Sequence, residues 1–266
     1  MISLFLPLYF IHCGHREPAP SAPDVKRDSI KTSVVSENIS APADSFDVNY
    51  LLGKFEPSKH PDFTLIQPEH TTKSGIYLRK DAYDSFRKMY EAARKDGITL
   101  KIISATRNFS SQKSIWEAKW TGERIVEGKN LAKDVKDSVE RARIILHYSS
   151  MPGTSRHHWG TDIDINDLND SYFTTGQGKK EYEWLVKHAP EYGFCQPYSP
   201  KGEKRPAGYE EEKWHWSYMP VSSKLTKLYQ EKVQPSMITG FKGSGTAGPL
   251  DVIRNYVAGI SGDCLQ

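Results

Sequence analysis

An α+β fold, with a small antiparallel sheet flanked by helices, is the class this sequence predicts. Two observations carry that reading. Segments with helical apolar spacing and short β-rich segments come mixed along the chain, without the strand–helix–strand rhythm of a parallel sheet. The composition is also that of a globular chain: 37% hydrophobic, 11% aromatic and 26% charged residues, enough to build a sizeable core.

The elements follow in order. Residues 1–11 are almost wholly apolar and Cys13-Gly14 follows, so 1–13 read as a lipoprotein-like signal in which Cys13 is lipidated. No Lys or Arg precedes the apolar run, which leaves an ordinary secretory signal or a buried strand as other readings. Residues 14–47 are rich in Pro, Ser, Ala and charge, and read as a disordered tether. An anchor and a tether imply export to the cell envelope. No stretch reaches the ~20 apolar residues that cross a bilayer as a helix.

The folded domain is expected over 48–234, with 235–266 as a C-terminal extension. Phe86, Met89, Tyr90 and Ala93 share one face of a helix predicted over 81–95, with Asp81 as its cap and Gly97 as its stop. Residues 98–105 (ITLKIISA) read as a strand packed on it. Helices are predicted over 110–120, 134–148, 179–189 and 221–233, a short one near 250–258, and strands over 160–165 and 214–218.

Charge and cysteines narrow the classes. A formal charge of +3 over 266 residues is too weak and too evenly spread for a nucleic-acid binder. Cys13, Cys195 and Cys264 lack zinc-knuckle or redox-pair spacing. An envelope protein can bridge Cys195 to Cys264; two free thiols are the plainer reading, because sequence does not supply the Cα separation a bridge needs.

Two clusters carry metal-binding chemistry. In the first, Ser155-Arg156-His157-His158-Trp159-Gly160-Thr161-Asp162-Ile163-Asp164, strand alternation puts Asp162 and Asp164 on one face, just after two imidazoles. Buried like charges raise each other's pKa unless a cation sits between them. A solvated strand face is the equal alternative. In the second, Glu212-Lys213-Trp214-His215, an imidazole sits between two tryptophans, where a satisfied core histidine is the commoner case. In a continuous strand Glu212 and His215 would face opposite sides, so Glu212 must lie in the turn before the strand if both are to reach one metal. A catalytic zinc site has three protein ligands and one open position.

The first cluster resembles the Ser-x-His-x-x-Gly-x-Ala-x-Asp motif of VanY-type D-alanyl-D-alanine carboxypeptidases, zinc peptidases related to lysostaphin-like and hedgehog-like proteins. Ser155, His157, Gly160 and Asp164 match, and Asp162 stands at the Ala position. Glu212-Lys213-Trp214-His215 resembles the family's Glu-x-Trp-His, and Ser104-Ala105-Thr106-Arg107 with Gln112 resembles its Ser-Gly-Tyr-Arg-x-x-x-x-Gln, with Thr106 in place of Tyr. The motifs stand in the family's order. The resemblance implies that zinc is held by His157, Asp164 and His215, that Glu212 is the catalytic base, that Arg107 binds substrate, and that Ser155 and Gln112 contact it. Asp162 then either orients a ligand or competes with Asp164 for the metal, and His158 points away. A surface salt bridge is the lesser alternative for Arg107.

The activity implied is removal of the terminal D-Ala from peptidoglycan stem peptides. L,D-carboxypeptidase or endopeptidase action shares the same motifs. A non-catalytic zinc-containing wall-binding module and a two-metal phosphoesterase are weaker alternatives, the latter because no second ligand cluster is evident. The loops 121–130 and 149–154 are expected to shape the cleft, with Trp116, Trp120, Trp159 and Trp216 as possible lining, although such aromatics are more often core. The oligomeric state is not legible.

Overall fold

The computed structural model describes residues 46–265. The expected signal at 1–13, with Cys13, and residues 14–45 of the expected tether lie outside the described residues. Phe46 is buried, and the Asp47 side chain accepts a hydrogen bond from Tyr50 N at 2.7 Å, capping α1 (Val48–Leu51). The core therefore takes in the end of the polar segment.

A two-stranded ribbon, β1 (Phe63–Leu65) against β2 (Tyr77–Arg79), runs straight into α2 (Lys80–Lys95). That helix buries Phe86, Met89 and Ala93 of the predicted stripe, together with Ala82, while Tyr90 is only partly buried. Asp81 is not its cap. The N-cap residue is Arg79, and the Asp81 carboxylate lies in the first turn, where Arg79 Nη2 donates to it at 3.1 Å. A charge-assisted bond to a nearly buried guanidinium outcompetes the capping role.

The chain continues through β3 (Ile102–Ser104), α3 (Phe109–Trp120), α4 (Leu131–Asp134), α5 (Ser138–Ile145), β4 (Asp162–Ile165), α6 (Gly176–His188), β5 (Phe194–Cys195), β6 (His215–Tyr218) and α7 (Met219–Lys232). The main sheet has the order β3-β4-β6-β5 with every neighbour antiparallel. An α+β fold with small antiparallel sheets is thus observed.

Several boundaries differ for local reasons. The strand predicted over 98–105 pairs only at 102–104. Beyond it Asn166 turns out of β4 with φ 64°, and its side chain takes up Lys101 N and Thr99 O. The helix predicted over 134–148 is broken, because Val135 is extended and the Asp137 side chain caps a new start by accepting from Glu140 N at 2.7 Å. Near 250–258 the helix is one π-helical turn, Ile253–Val257.

Alternation along the central strands builds two environments. Ile163, Ile165, Phe194 and Trp216 join a core with Phe86 and Met89 of α2 and with Trp184 and Leu185 of α6. Asp162, Asp164, His215 and Ser217 occupy the alternate positions. The antiparallel register lines up Ser104, Asp164 and His215 in one row and Asp162 with Ser217 in the next.

A second core gathers Trp116 of α3, Ile145 of α5, and Leu225 and Tyr229 of α7. Ile238, Leu250 and Val257, from the segment 235–266, pack into that same core. A disulfide between Cys195 on β5 and Cys264, with Cα atoms 5.7 Å apart, ties the segment to the sheet.

Candidate metal centre

His157 reaches the site from a 3-10 turn, Arg156–Trp159, that ends at Gly160 with φ 70°. A side chain at 160 would strain that left-handed backbone, and its Cβ would lie 2.3 Å from Phe63 Cε1. The glycine therefore permits the tight step from turn to strand that sets His157 beside Asp164.

Hydrogen bonds assign the tautomers of both imidazoles. His157 Nδ1 donates to Ala105 O at 2.8 Å, which leaves a lone pair on Nε2. His215 Nε2 donates to Asp162 Oδ1 at 2.9 Å, which leaves a lone pair on Nδ1. Asp164 Oδ1 lies 3.4 Å from His157 Nε2 and 3.2 Å from His215 Nδ1. One donor atom from each of the three residues falls within 4.8 Å of the others. The rings of His157 and His215 meet edge to face, with centroids 4.7 Å apart.

Two of these atoms, His157 Nε2 and Asp164 Oδ1, are buried and have no hydrogen-bond partner. An unsatisfied buried acceptor is costly, and two that converge suit a shared cation. Electrostatics agree. Burial opposes a charge on His215, yet the carboxylates of Asp162, Asp164 and Glu212 around it overcome burial and raise its pKa well above the ordinary value. Carboxylates packed round that imidazole call for positive charge. A pair of imidazoles with one carboxylate is a donor set for a borderline divalent ion such as zinc.

Asp162 supports the site from behind it. Its Oδ1 also accepts from Arg156 Nε at 3.1 Å, and its Oδ2 accepts from Thr161 Oγ1 at 2.6 Å and Ser217 Oγ at 3.1 Å. Burial works against its charge, but Arg156 and His215 outweigh burial and hold the carboxyl below its ordinary range. Both oxygens are engaged, so Asp162 faces His215 from behind and Asp164 is the carboxylate left free to bind a metal. His158 points elsewhere: its Nδ1 donates to Arg107 O at 2.6 Å and its Nε2 accepts from Gly153 N at 3.0 Å.

Glu212 lies in the turn before β6, where His215 N donates to Glu212 O at 3.3 Å. Its Oε2 comes within 3.3 Å of His215 Nδ1, so the turn meets the geometric condition for both to reach one ion. Burial pushes the Glu212 carboxyl above the ordinary range.

Arg107 follows β3. Its Nε donates to Gln112 Oε1 at 3.0 Å and its Nη1 to Ser104 Oγ at 2.7 Å, with Asp164 Oδ2 at 3.5 Å. Gln112 is buried in α3, and its Nε2 donates to Ser150 O at 2.8 Å. Both ends of its amide are thus taken up in aiming Arg107. Ser155 is buried, its Oγ has no partner, and it does not line the cleft.

A cleft of about 510 Å³ opens over His157, Asp164 and His215. Glu212, Arg107 and Gln112 line it, as do Arg124, Ser149 and Ser150 from the loops expected to shape it. The tryptophans follow the core reading and not the lining one. Trp116, Trp159 and Trp216 are core, and Trp120 stacks on Trp116 with centroids 6.1 Å apart; Trp214 lines the cleft instead. Lys119, Tyr198 and Tyr209 also line it and were missed by motif reading. For Lys119 a signal existed: Gln112, Ile115 and Lys119 are spaced as one helical stripe.

The VanY family profile, described as D-alanyl-D-alanine carboxypeptidase, matches residues 75–221. A putative carboxypeptidase of Bacillus subtilis (strain 168), YodJ, is 31% identical over an alignment of 219 residues that covers 78% of this chain and 69% of that protein. A D-alanyl-D-alanine carboxypeptidase of Enterococcus faecalis (strain ATCC 700802 / V583) is 29% identical over 143 residues, covering 54% of this chain and 48% of that protein. A solved structure of the LdcB LD-carboxypeptidase is 27% identical with a TM-score of 0.47, covering 68% of this chain and 81% of that one.

Proposed function

Because the chain belongs to the VanY family of D-alanyl-D-alanine carboxypeptidases, we propose that it is a zinc-dependent D-alanyl-D-alanine carboxypeptidase that removes the terminal D-Ala of peptidoglycan stem peptides. The observation that carries the reading is the convergence of His157 Nε2, Asp164 Oδ1 and His215 Nδ1 in a cleft, with the Glu212 carboxylate beside them.

In this reading His157, Asp164 and His215 hold the metal. Zinc bound there supplies Lewis acidity, which acidifies water and polarises a carbonyl. Glu212 takes the proton of the attacking water on a carboxylate oxygen and returns it to the leaving amine. Its burial raises the basicity of that carboxylate, which suits a proton carrier. Arg107, held by Ser104 and Gln112, offers a rigid fork to the developing oxyanion or to the peptide carboxylate. Gln112 positions Arg107, and Ser150 O anchors Gln112. The Cys195–Cys264 bridge supports an exported, envelope location, since such bonds persist in oxidising compartments.

Glu212→Ala tests the role of the base. We expect turnover to fall by roughly 10²–10⁴-fold while zinc content by elemental analysis stays at the wild-type level. Unchanged turnover removes Glu212 from the mechanism. Incubation with pentapeptide, tetrapeptide and crosslinked muropeptides tests the bond. D-Ala released from tetrapeptide alone would replace the D,D reading with an L,D one.

A further inference from the structure

Besides Arg107, the cleft carries two cations that the hydrolytic reading does not use, and they bear on substrate choice within that reading. Arg107, Lys119 and Arg124 all line it. Arg107 has a carboxylate neighbour in Asp164. Among the described residues Lys119 and Arg124 form no ion pair. Lys119 is half-buried on α3, and its Nζ donates to Ser149 Oγ at 2.5 Å. An ammonium has three donors, so two are left without a protein acceptor.

Arg124 lies on the loop after α3 and also lines a second cavity, of about 670 Å³. That cavity shares Arg107, Ile115, Arg124 and Leu168 with the first and runs on past Ser104, Thr106 and Asn108. Arg107 and Arg124 therefore stand where one cavity passes into the other, and Lys119 lines the first cavity beside them. Burial, then Arg124, lowers the Lys119 pKa; Glu212 opposes them, Arg107 adds to them, and the net direction stays downward. Like charges crowded into a partly dry wall are relieved by an anion between them.

We propose that Lys119 and Arg124 form a carboxylate-binding wall that receives an anionic group of the peptide substrate and selects for it. The carboxylate has two sources in a stem peptide, the terminal one of the leaving residue and one carried by an acidic residue upstream. The proposal rests on the reading of the cleft as a peptidase site. Lys119 is a specificity residue in it, distinct from the groups assigned to the reaction.

The test uses the full-length, zinc-loaded protein and two synthetic peptides ending in D-Ala-D-Ala. They differ only in an upstream acidic side chain, free in one and a carboxamide in the other. Lys119→Gln should raise KM on the free-carboxylate peptide about tenfold, the scale of one charge-assisted hydrogen bond, with kcat little changed. Lys119→Arg should restore most of the loss, and Arg124→Gln should act in the same direction.

If KM for the carboxamide peptide is already high and insensitive to Lys119→Gln, the upstream carboxylate is the partner. If KM rises equally on both peptides, the terminal carboxylate is the partner. Either outcome supports the wall. An unchanged KM on both peptides overturns it. So does a fall in kcat with a lowered Tm that Lys119→Arg does not repair, which would make Lys119 a tether for Ser149. Calorimetric titration of the same peptides into Glu212→Gln protein reads binding without turnover, and so separates failure of the wall from failure of the peptidase reading.

Discussion

Replacing Asp162 by Asn removes one negative charge and almost no volume. The residue is fully buried, and its oxygens accept four hydrogen bonds, from His215, Arg156, Thr161 and Ser217. An amide oxygen at the Oδ1 position still accepts from His215 Nε2 and Arg156 Nε. An amide nitrogen at the Oδ2 position faces two hydroxyls that can rotate to accept. What is lost is charge, at two places. Arg156, also fully buried, loses its counter-ion and keeps its bonds to Thr226 Oγ1 and Ser217 Oγ, both 2.7 Å. Breaking a buried pair in this way costs about 3–5 kcal/mol, and the retained bonds put the expectation near the lower end. His215 loses a charged acceptor behind a metal-facing imidazole, and such a change typically weakens metal affinity by roughly 10–100-fold. Urea unfolding of the metal-free protein reads the first effect, and chelator competition for zinc reads the second. A zinc Kd that does not move while stability falls would refute the orienting role. Complete loss of zinc binding in a folded Asp162→Asn protein would make Asp162 the ligand in place of Asp164.

Two further outcomes can be checked by stability alone. The Cys195–Cys264 bridge spans 69 residues, and closing a loop of that length stabilises by about 4 kcal/mol in the chain-entropy model. Cys264→Ser should lower unfolding free energy by about that amount under oxidising conditions and by nothing under reducing ones; equal stability of the two proteins in oxidant would contradict it. Burial lowers His158 from its ordinary 6.5 to about 3. Between those values the unfolded chain binds a proton that the folded chain refuses, so stability present above pH 6.5 is lost as the pH falls toward 3. His158→Asn can keep one donor and one acceptor without titrating. Its stability should fall less steeply than wild type across that window, by up to about 1.4 kcal/mol per pH unit, measured from urea transitions at successive pH values. Parallel slopes would show that His158 titrates normally.

Much of this was legible along the chain. The sequence reading located α2, α3, α6 and α7 to within a few residues, and in α2 apolar spacing carried it, because a helix that buries one face must repeat with its own turn. Strand alternation separated Ile163 and Ile165 from Asp162 and Asp164, because each pleat reverses the side chain. Boundaries went wrong where a side chain competed with the backbone. Asn166 ends the β3–β4 pairing, Asp137 restarts a helix, and Arg79 draws Asp81 away from the cap. Such bonds depend on partners distant in sequence or on small energy differences between local choices.

The sequence by itself determined the fold class, the residue types that offer metal ligands, and the order in which they occur. Strand alternation left Asp162 and Asp164 equivalent, two residues apart on one strand face, and the motif resemblance favoured Asp164 without a physical reason. The tertiary structure supplied that reason, by bringing Arg156 and Ser217 to Asp162 and leaving Asp164 Oδ1 without a partner. It also decided which nitrogen of each histidine carries a lone pair, placed Glu212 in a turn, and put Lys119 in the wall of the cleft. The reason is physical: a donor or acceptor is assigned by the group it meets, and that meeting happens across segments the chain keeps far apart.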